Sequence, residues 1–133
     1  LWEQVLAQFV VETHEGQVVG VVSSFEPEFR HRYVRLAACS SAEFHSTGVV
    51  LEGMALLVSY LFHTFDFRKI YAESLESNYG QFALGEGRYF EIEGRMKEHE
   101  YVDGRYQDVV LLAIYRDAWR LNHRRLFGEE GTL

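Results

Sequence analysis

Valine-rich alternation opens the chain. In "QFVVETHEGQVVGVVSSF" (Gln8 to Phe25) two such runs flank "HEGQ", whose Gly16 can supply the positive φ of a tight turn. That pattern predicts a β-hairpin. The polar run "FEPEFRHR" reads as a connection, and "YVRLAACSS" as a third strand whose last residues are small. The period then changes. Apolar residues at 51, 54, 58, 61, 62 and 65, widened by 50 and 57, fit one face of a helix. Ser46 or Thr47 is placed to cap its start. "RKIYAESLE" returns to strand. "NYGQFALGEGRYF" reads as a short helix ending near Gly85 or Gly87. A second hairpin follows, turning at Asp103-Gly104 into the apolar strand "VVLLAIY", and "DAWRLNHRRLF" closes the chain as a helix.

The predicted order is β-β-β-α-β-α-β-β-α, an α/β arrangement of antiparallel hairpins around one strand-helix-strand crossover. The crossover requires two parallel strands. A single domain over residues 1–133 is expected, with a loose tail over 128–133. Mixed sheets of this kind place ligands where the pairing pattern changes, beside strand C-termini and helix N-termini.

Composition narrows the function classes. The 133 residues carry a formal charge of −7, which disfavours sequence-independent nucleic-acid binding. "RHRYVR" (Arg30 to Arg35) is the one early basic run, and it reads as a loop and strand edge. Cys39 is the only cysteine. No internal disulfide can form, which fits a reducing cytoplasm. The apolar run Val49 to Phe65 is broken by Glu52 and Ser59 and falls short of the roughly 20 residues of a membrane span. The first residues lack the basic region and cleavage site of a signal peptide. They also lack an initiator Met, so the sequence reads as starting partway through a longer protein.

The segment "FHSTGVVLEG" (Phe44 to Gly53) joins the third strand to the long helix. It fits an ordinary capped helix. It also fits a phosphate cradle, because a helix start offers unpaired N–H groups and the positive end of a dipole. His99, Asp103 and Asp108 match no familiar metal-ligand spacing, and no metal is expected. No nucleophile elbow, Walker loop or dinucleotide fingerprint is present.

The order strand, loop, helix, strand, Asn, short helix resembles the GNAT-type N-acetyltransferase superfamily. The resemblance is strongest to its branch acetylating protein N-termini, polyamines and small amines. The matching elements are Phe90, Glu93-Gly94-Arg95, Asp103-Gly104-Arg105-Tyr106, Asp108 and Trp119. The likeness covers about residues 8 to 120, and the C-terminal third is its most specific part. It implies acetyl-CoA, or another acyl-CoA, as co-substrate and an amine as acceptor. The cofactor would lie in a V-shaped opening between two central strands. Ala38, Cys39 and Ser40 would pair with pantetheine. His45, Ser46, Thr47, Gly48, Val49 and Val50 would hold the pyrophosphate, and Asn78 would contact the cofactor arm. Of the family's [Q/R]-x-x-G-x-[G/A] loop only Gly48 is kept: His45 replaces the long donor and Val50 the second small residue. The family's usual N-terminal strand and helices, which help form the acceptor site, are missing from this sequence.

The resemblance also implies direct transfer in a ternary complex, with a base for the amine and an acid, often Tyr, for the thiolate. The usual Tyr position is Gly85 here, which leaves Tyr79 and Tyr89 as substitutes; aromatic packing is the competing account of both. Strand alternation puts Tyr71, Glu73 and Leu75 on one face, with Ala72 and Ser74 on the other. For the base, Glu73 and Glu76 lie on or just after this strand; Glu73 is the candidate taken, and a solvated charge or an ion pair with Arg68 or Lys69 is its competing account. A homodimer stays open. So does a second function, a GNAT-shaped module that senses CoA or binds a protein without catalysing.

Overall fold

The structure, a computed structural model, describes residues 4–44 and 48–127. Its strands are β1 (Val5–Glu12), β2 (Val18–Glu28), β3 (Tyr33–Ser40), β4 (Lys69–Leu75), β5 (Glu91–Val102) and β6 (Arg105–Tyr115). Its helices are α1 (Val49–Thr64), α2 (Glu76–Tyr79), α3 (Arg116–Asn122) and α4 (Arg124–Phe127). The strands form one sheet in the order β1-β2-β3-β4-β6-β5. Only β3 and β4 run parallel, joined by α1 as the crossover predicts.

Both hairpin turns follow their glycine signals. Gly16 sits at φ 87°, and the Thr13 N–H and Gly16 N–H close the first turn onto Gln17 O and Thr13 O. Asp103 and Gly104 both have positive φ, 52° and 80°, as a two-residue type I′ turn requires.

Three elements differ from expectation. β2 runs on to Glu28, through the supposed connection and Pro27. A register shift between Phe25 and Glu28 makes this workable, since proline is tolerated at a bulge. The short helix starts earlier, at Glu76, and lasts four residues, followed by a 3-10 turn at Ala83–Gly85. The closing helix is broken at His123 into α3 and α4.

α1 lies on one face of the sheet. Its buried Leu57, Val58 and Leu61 meet Val22, Val34, Ile70 and Val110. Burying such side chains is worth about 1.5–3 kcal/mol each. Gly53 lets the helix approach β1: a Cβ there would lie 2.5 Å from a Val11 methyl. Trp119 of α3 completes the core and donates its indole N–H to the buried Ser59 hydroxyl at 2.9 Å.

Arg116 fastens the end of α1. Its guanidinium donates to the carbonyls of Phe67, Phe62 and Phe65 at 2.5, 2.6 and 2.6 Å. It thereby satisfies Phe62 O, a carbonyl that the last turn of α1 leaves unpaired, together with two carbonyls just past the helix end.

Candidate active site

The sheet opens between its two central strands. Pairing of β3 with β4 covers Tyr33–Leu36 against Lys69–Ala72 and then stops. Beyond that point β3 stays on β2 as far as Ser40, and β4 stays on β6 as far as Leu75. The strands therefore separate at their C-terminal ends, and a cleft of about 720 Å³ lies between them.

One wall is β3. Ala37, Ala38 and Cys39 are exposed there, and their small side chains leave the strand's edge approachable. Gly48 and Val50 at the start of α1 border this wall, as does Ser40. Gly48 is the N-cap residue with φ 81°, a left-handed conformation that favours glycine. Ser46 and Thr47, expected to cap the helix, lie outside the described residues, as does His45. The orphan donors of the first turn point out of the helix start. Glu52 adds a negative charge to that turn, which works against an anion there.

Val50 has a second role that its position in the loop motif did not suggest. A Cβ on Gly20 of β2 would lie 3.2 Å from a Val50 methyl and 2.3 Å from Cys39 O. The missing side chain at 20 makes room for both.

The other wall is β4 and the segment after it. Burial alternates as expected: Ile70, Ala72 and Ser74 are buried, while Glu73 is exposed. Glu73 borders the cleft with Tyr71 and Asn78. Among the described residues Glu73 has no ion pair. Its predicted competitors are engaged elsewhere: Lys69 with Glu93 at 3.5 Å, and the Arg68 guanidinium on His31 O at 3.0 Å. Three carboxylates, Glu26, Glu73 and Glu100, border the cleft against one cation, Arg35, which is held by Glu26 at 3.2 Å.

The segment after β4 brings Asn78, Gln81 and Phe82 to the cleft, but not Tyr79 or Tyr89. The Tyr79 hydroxyl donates to Glu86 at 2.8 Å. Burial and that carboxylate raise its pKa, so the proton is held more tightly than in a free tyrosine. The Tyr89 ring packs edge-on against Trp119, 6.1 Å between centroids. Val49 opens α1 without bordering the cleft.

Glu100, Gln81 and Phe82 were not singled out by the sequence. Phe82 and Gln81 follow Asn78 closely, so the short helix carried a signal. Glu100 did not, because a bulge sets which way its strand faces. Among the described residues no group of three or more His, Cys, Asp or Glu is arranged to hold a metal, and no helix is long and apolar enough to cross a membrane.

This architecture has close counterparts. The spermidine N(1)-acetyltransferase of Vibrio cholerae is 27% identical over 112 residues, 84% of this chain and 65% of that enzyme. The chain is a GNAT-fold homologue of that enzyme. The crystal structure of the Vibrio cholerae spermidine N-acetyltransferase in complex with CoA and spermine superposes with a TM-score of 0.74 at 26% identity. The match covers 85% of this chain and 67% of that one. A crystal structure of the Vibrio cholerae spermidine/spermine N-acetyltransferase in complex with manganese ions gives 0.75 at 26% identity, over 86% and 67% of the two chains. No family model matches the sequence. The chain spans slightly under two thirds of the curated relative's length.

Proposed function

We propose that this chain transfers an acyl group, most simply acetyl, from acyl-CoA to a primary amine of a polyamine-like cation. The carrying observation is the separation of β3 from β4 beyond Leu36 and Ala72, with the unpaired carboxylate of Glu73 on one wall. The relatives named for spermidine N-acetyltransfer support the choice of donor and acceptor. The acidic excess around the cleft suits a cationic amine.

In this reading the β3 edge at Ala38, Cys39 and Ser40 pairs with the pantetheine amide groups. The pyrophosphate rests on the start of α1, with Gly48, Val49 and Val50 presenting backbone and His45, Ser46 and Thr47 completing the loop. Asn78 touches the cofactor arm. Both substrates are held together, so transfer is direct. The amine nitrogen attacks the thioester carbonyl, a C–N bond forms and the C–S bond breaks. Glu73 takes the amine proton, directly or through water, and the CoA sulfur leaves as a thiolate that takes a proton from solvent water in the open cleft. Tyr79 would need to exchange its bond to Glu86 to serve as the acid instead, and Tyr89 its packing on Trp119.

The test is calorimetric titration with CoA and acetyl-CoA, then assay of thiol release with spermidine, spermine, a peptide N-terminus and an aminoglycoside. Saturable CoA binding and thiol release with a polyamine are expected. Failure to bind CoA at millimolar concentration overturns the reading. Binding without turnover on any amine replaces it with a CoA-sensing module.

A further inference from the structure

α2 begins without a cap of its own. Its N-cap residue, Leu75, has the extended backbone of that position but no side-chain oxygen to accept from the first turn. A helix of four residues makes few internal bonds, so the placement of Glu76–Tyr79 depends on what holds its first N–H groups. The chain supplies that hold from another strand. The amide oxygen of Gln107, on β6, accepts the Ser77 N–H at 3.3 Å. Ser77 is the second helical residue, and its N–H is one that an N-cap side chain ordinarily receives. Only the oxygen of the amide can accept, so the same bond fixes which way round the amide lies.

The sheet places Gln107 for this. β4 and β6 pair from Lys69 opposite Tyr115 to Leu75 opposite Val109. Continued by two residues, that register sets Ser77 opposite Gln107, but there the chain leaves the ladder and turns into α2. On its other side Gln107 pairs with Glu100, just past a bulge where four steps on β5, from Met96 to Glu100, match two on β6. Gln107 is 3% exposed, and a polar side chain is kept in such a place where it bonds. The ion pairs between this hairpin and α2 are looser. Glu76 meets Arg95 at 3.8 Å and Arg105 at 3.6 Å, with all three side chains substantially exposed.

What the buried bond positions is a wall of the cleft. Asn78 directly follows Ser77 and borders the cleft, whereas Gln107 itself does not. A slip of one residue at the helix start would rotate Asn78 about 100° away. We infer that Gln107 is a positioning residue for CoA: it caps α2 from β6 and thereby holds Asn78 against the cofactor arm. This rests on the proposed acyl-CoA binding and adds to it a residue that touches neither substrate.

The experiment is calorimetric titration of the full chain with CoA, with urea unfolding of each variant alongside. Q107M keeps the length of the side chain and removes the acceptor, and its Kd for CoA rises on the order of fivefold. Q107E keeps an oxygen at the same place and stays within about twofold of wild type. N78A weakens CoA binding, and the Q107M/N78A double variant binds no more weakly than N78A alone. S59A removes the buried bond to Trp119, lowers stability and leaves the Kd at the wild-type value. In the wild-type chain the Ser77 amide is protected from hydrogen exchange; exchange at the free-peptide rate overturns the cap whether or not Q107M folds. A Q107M Kd equal to wild type, a Q107M loss that adds in full to that of N78A, or an equal loss in S59A overturns the inference and leaves CoA binding standing. Absence of CoA binding by the wild-type chain overturns both.

Discussion

The two ends of the β3–β4 seam are built differently. At the closed end, Arg32, Arg68 and Arg116 are each tied to neighbouring backbone. The Arg68 N–H donates to Arg32 O at 2.7 Å, and the Arg116 N–H to Arg68 O at 3.0 Å. The Arg32 guanidinium holds the Asp66 carbonyl and carboxylate, and the Arg116 guanidinium holds three carbonyls around the end of α1. At the open end, the same two strands share no ladder bond beyond Leu36 and Ala72. Glu73 faces the cleft there without an ion partner among the described residues. A sheet that paired along its whole length would be more stable and would hold nothing. Here cross-links concentrate at one end, so the other can stay apart without fraying the fold.

The largest expected effect tests the closed end. Arg116→Ala removes three charge-assisted hydrogen bonds and leaves three part-buried carbonyls without this donor. It should cost about 3 kcal/mol in urea unfolding. A loss below about 1 kcal/mol would mean that the seam does not depend on this residue. The next test is at the open end. Glu73→Gln keeps the shape of an exposed side chain and removes the proposed base, so kcat for the proposed amine acetylation should fall about 100-fold with the unfolding midpoint unmoved. A matched drop in stability would mean that the open end also bears structure.

The smallest effect concerns the sheet face near the closed end. Glu93 accepts a hydrogen bond from the Tyr115 hydroxyl and pairs with Lys69, and the Tyr115 bond is the larger cause of its lowered pKa. Tyr115 and Lys69 are raised, chiefly by their bonds to Glu93 and Tyr71 respectively. A lowered acid stabilises above its unfolded pKa, 4.5, and that contribution fades as pH falls through the folded value. A raised tyrosine stabilises below 10.0, and that fades as pH rises. Glu93→Gln should therefore lower stability modestly between those limits and converge with wild type only once the pH has fallen through the lowered folded value of Glu93. Parallel stability curves across that range would rule the network out as a source of acid sensitivity.

How much of this could be read in the sequence depended on whether the signal was local. Gly16 and Asp103-Gly104 mark turns because few residues adopt positive φ, and the turns are where they say. The α1 stripe and the β4 alternation, including Glu73's outward face, follow from periodicity. Long-range effects were hidden. Pro27 looks like a strand end, but a bulge against β3 absorbs it. Arg116 looks like a surface charge, but its partners lie about 50 residues earlier, at Phe62, Phe65 and Phe67. Glu100 reads as one of many hairpin charges, because two extra residues upstream reset which way it faces. Tyr79 is a substitute acid only through the family resemblance; its bond to Glu86 depends on the chain doubling back after α2, which no period encodes.

The contact between Val50 and Gly20 limits how the loop can be altered. The valine in the phosphate motif and the glycine in β2 lie against each other, 30 positions apart. A Cβ at 20 would meet the Cys39 carbonyl oxygen at 2.3 Å as well as the Val50 methyl at 3.2 Å. Shrinking residue 50 therefore would not open position 20 to a side chain, because the β3 backbone already closes it. The glycine is required by the close approach of two strands, and the valine fills the space that this approach leaves beside the helix start.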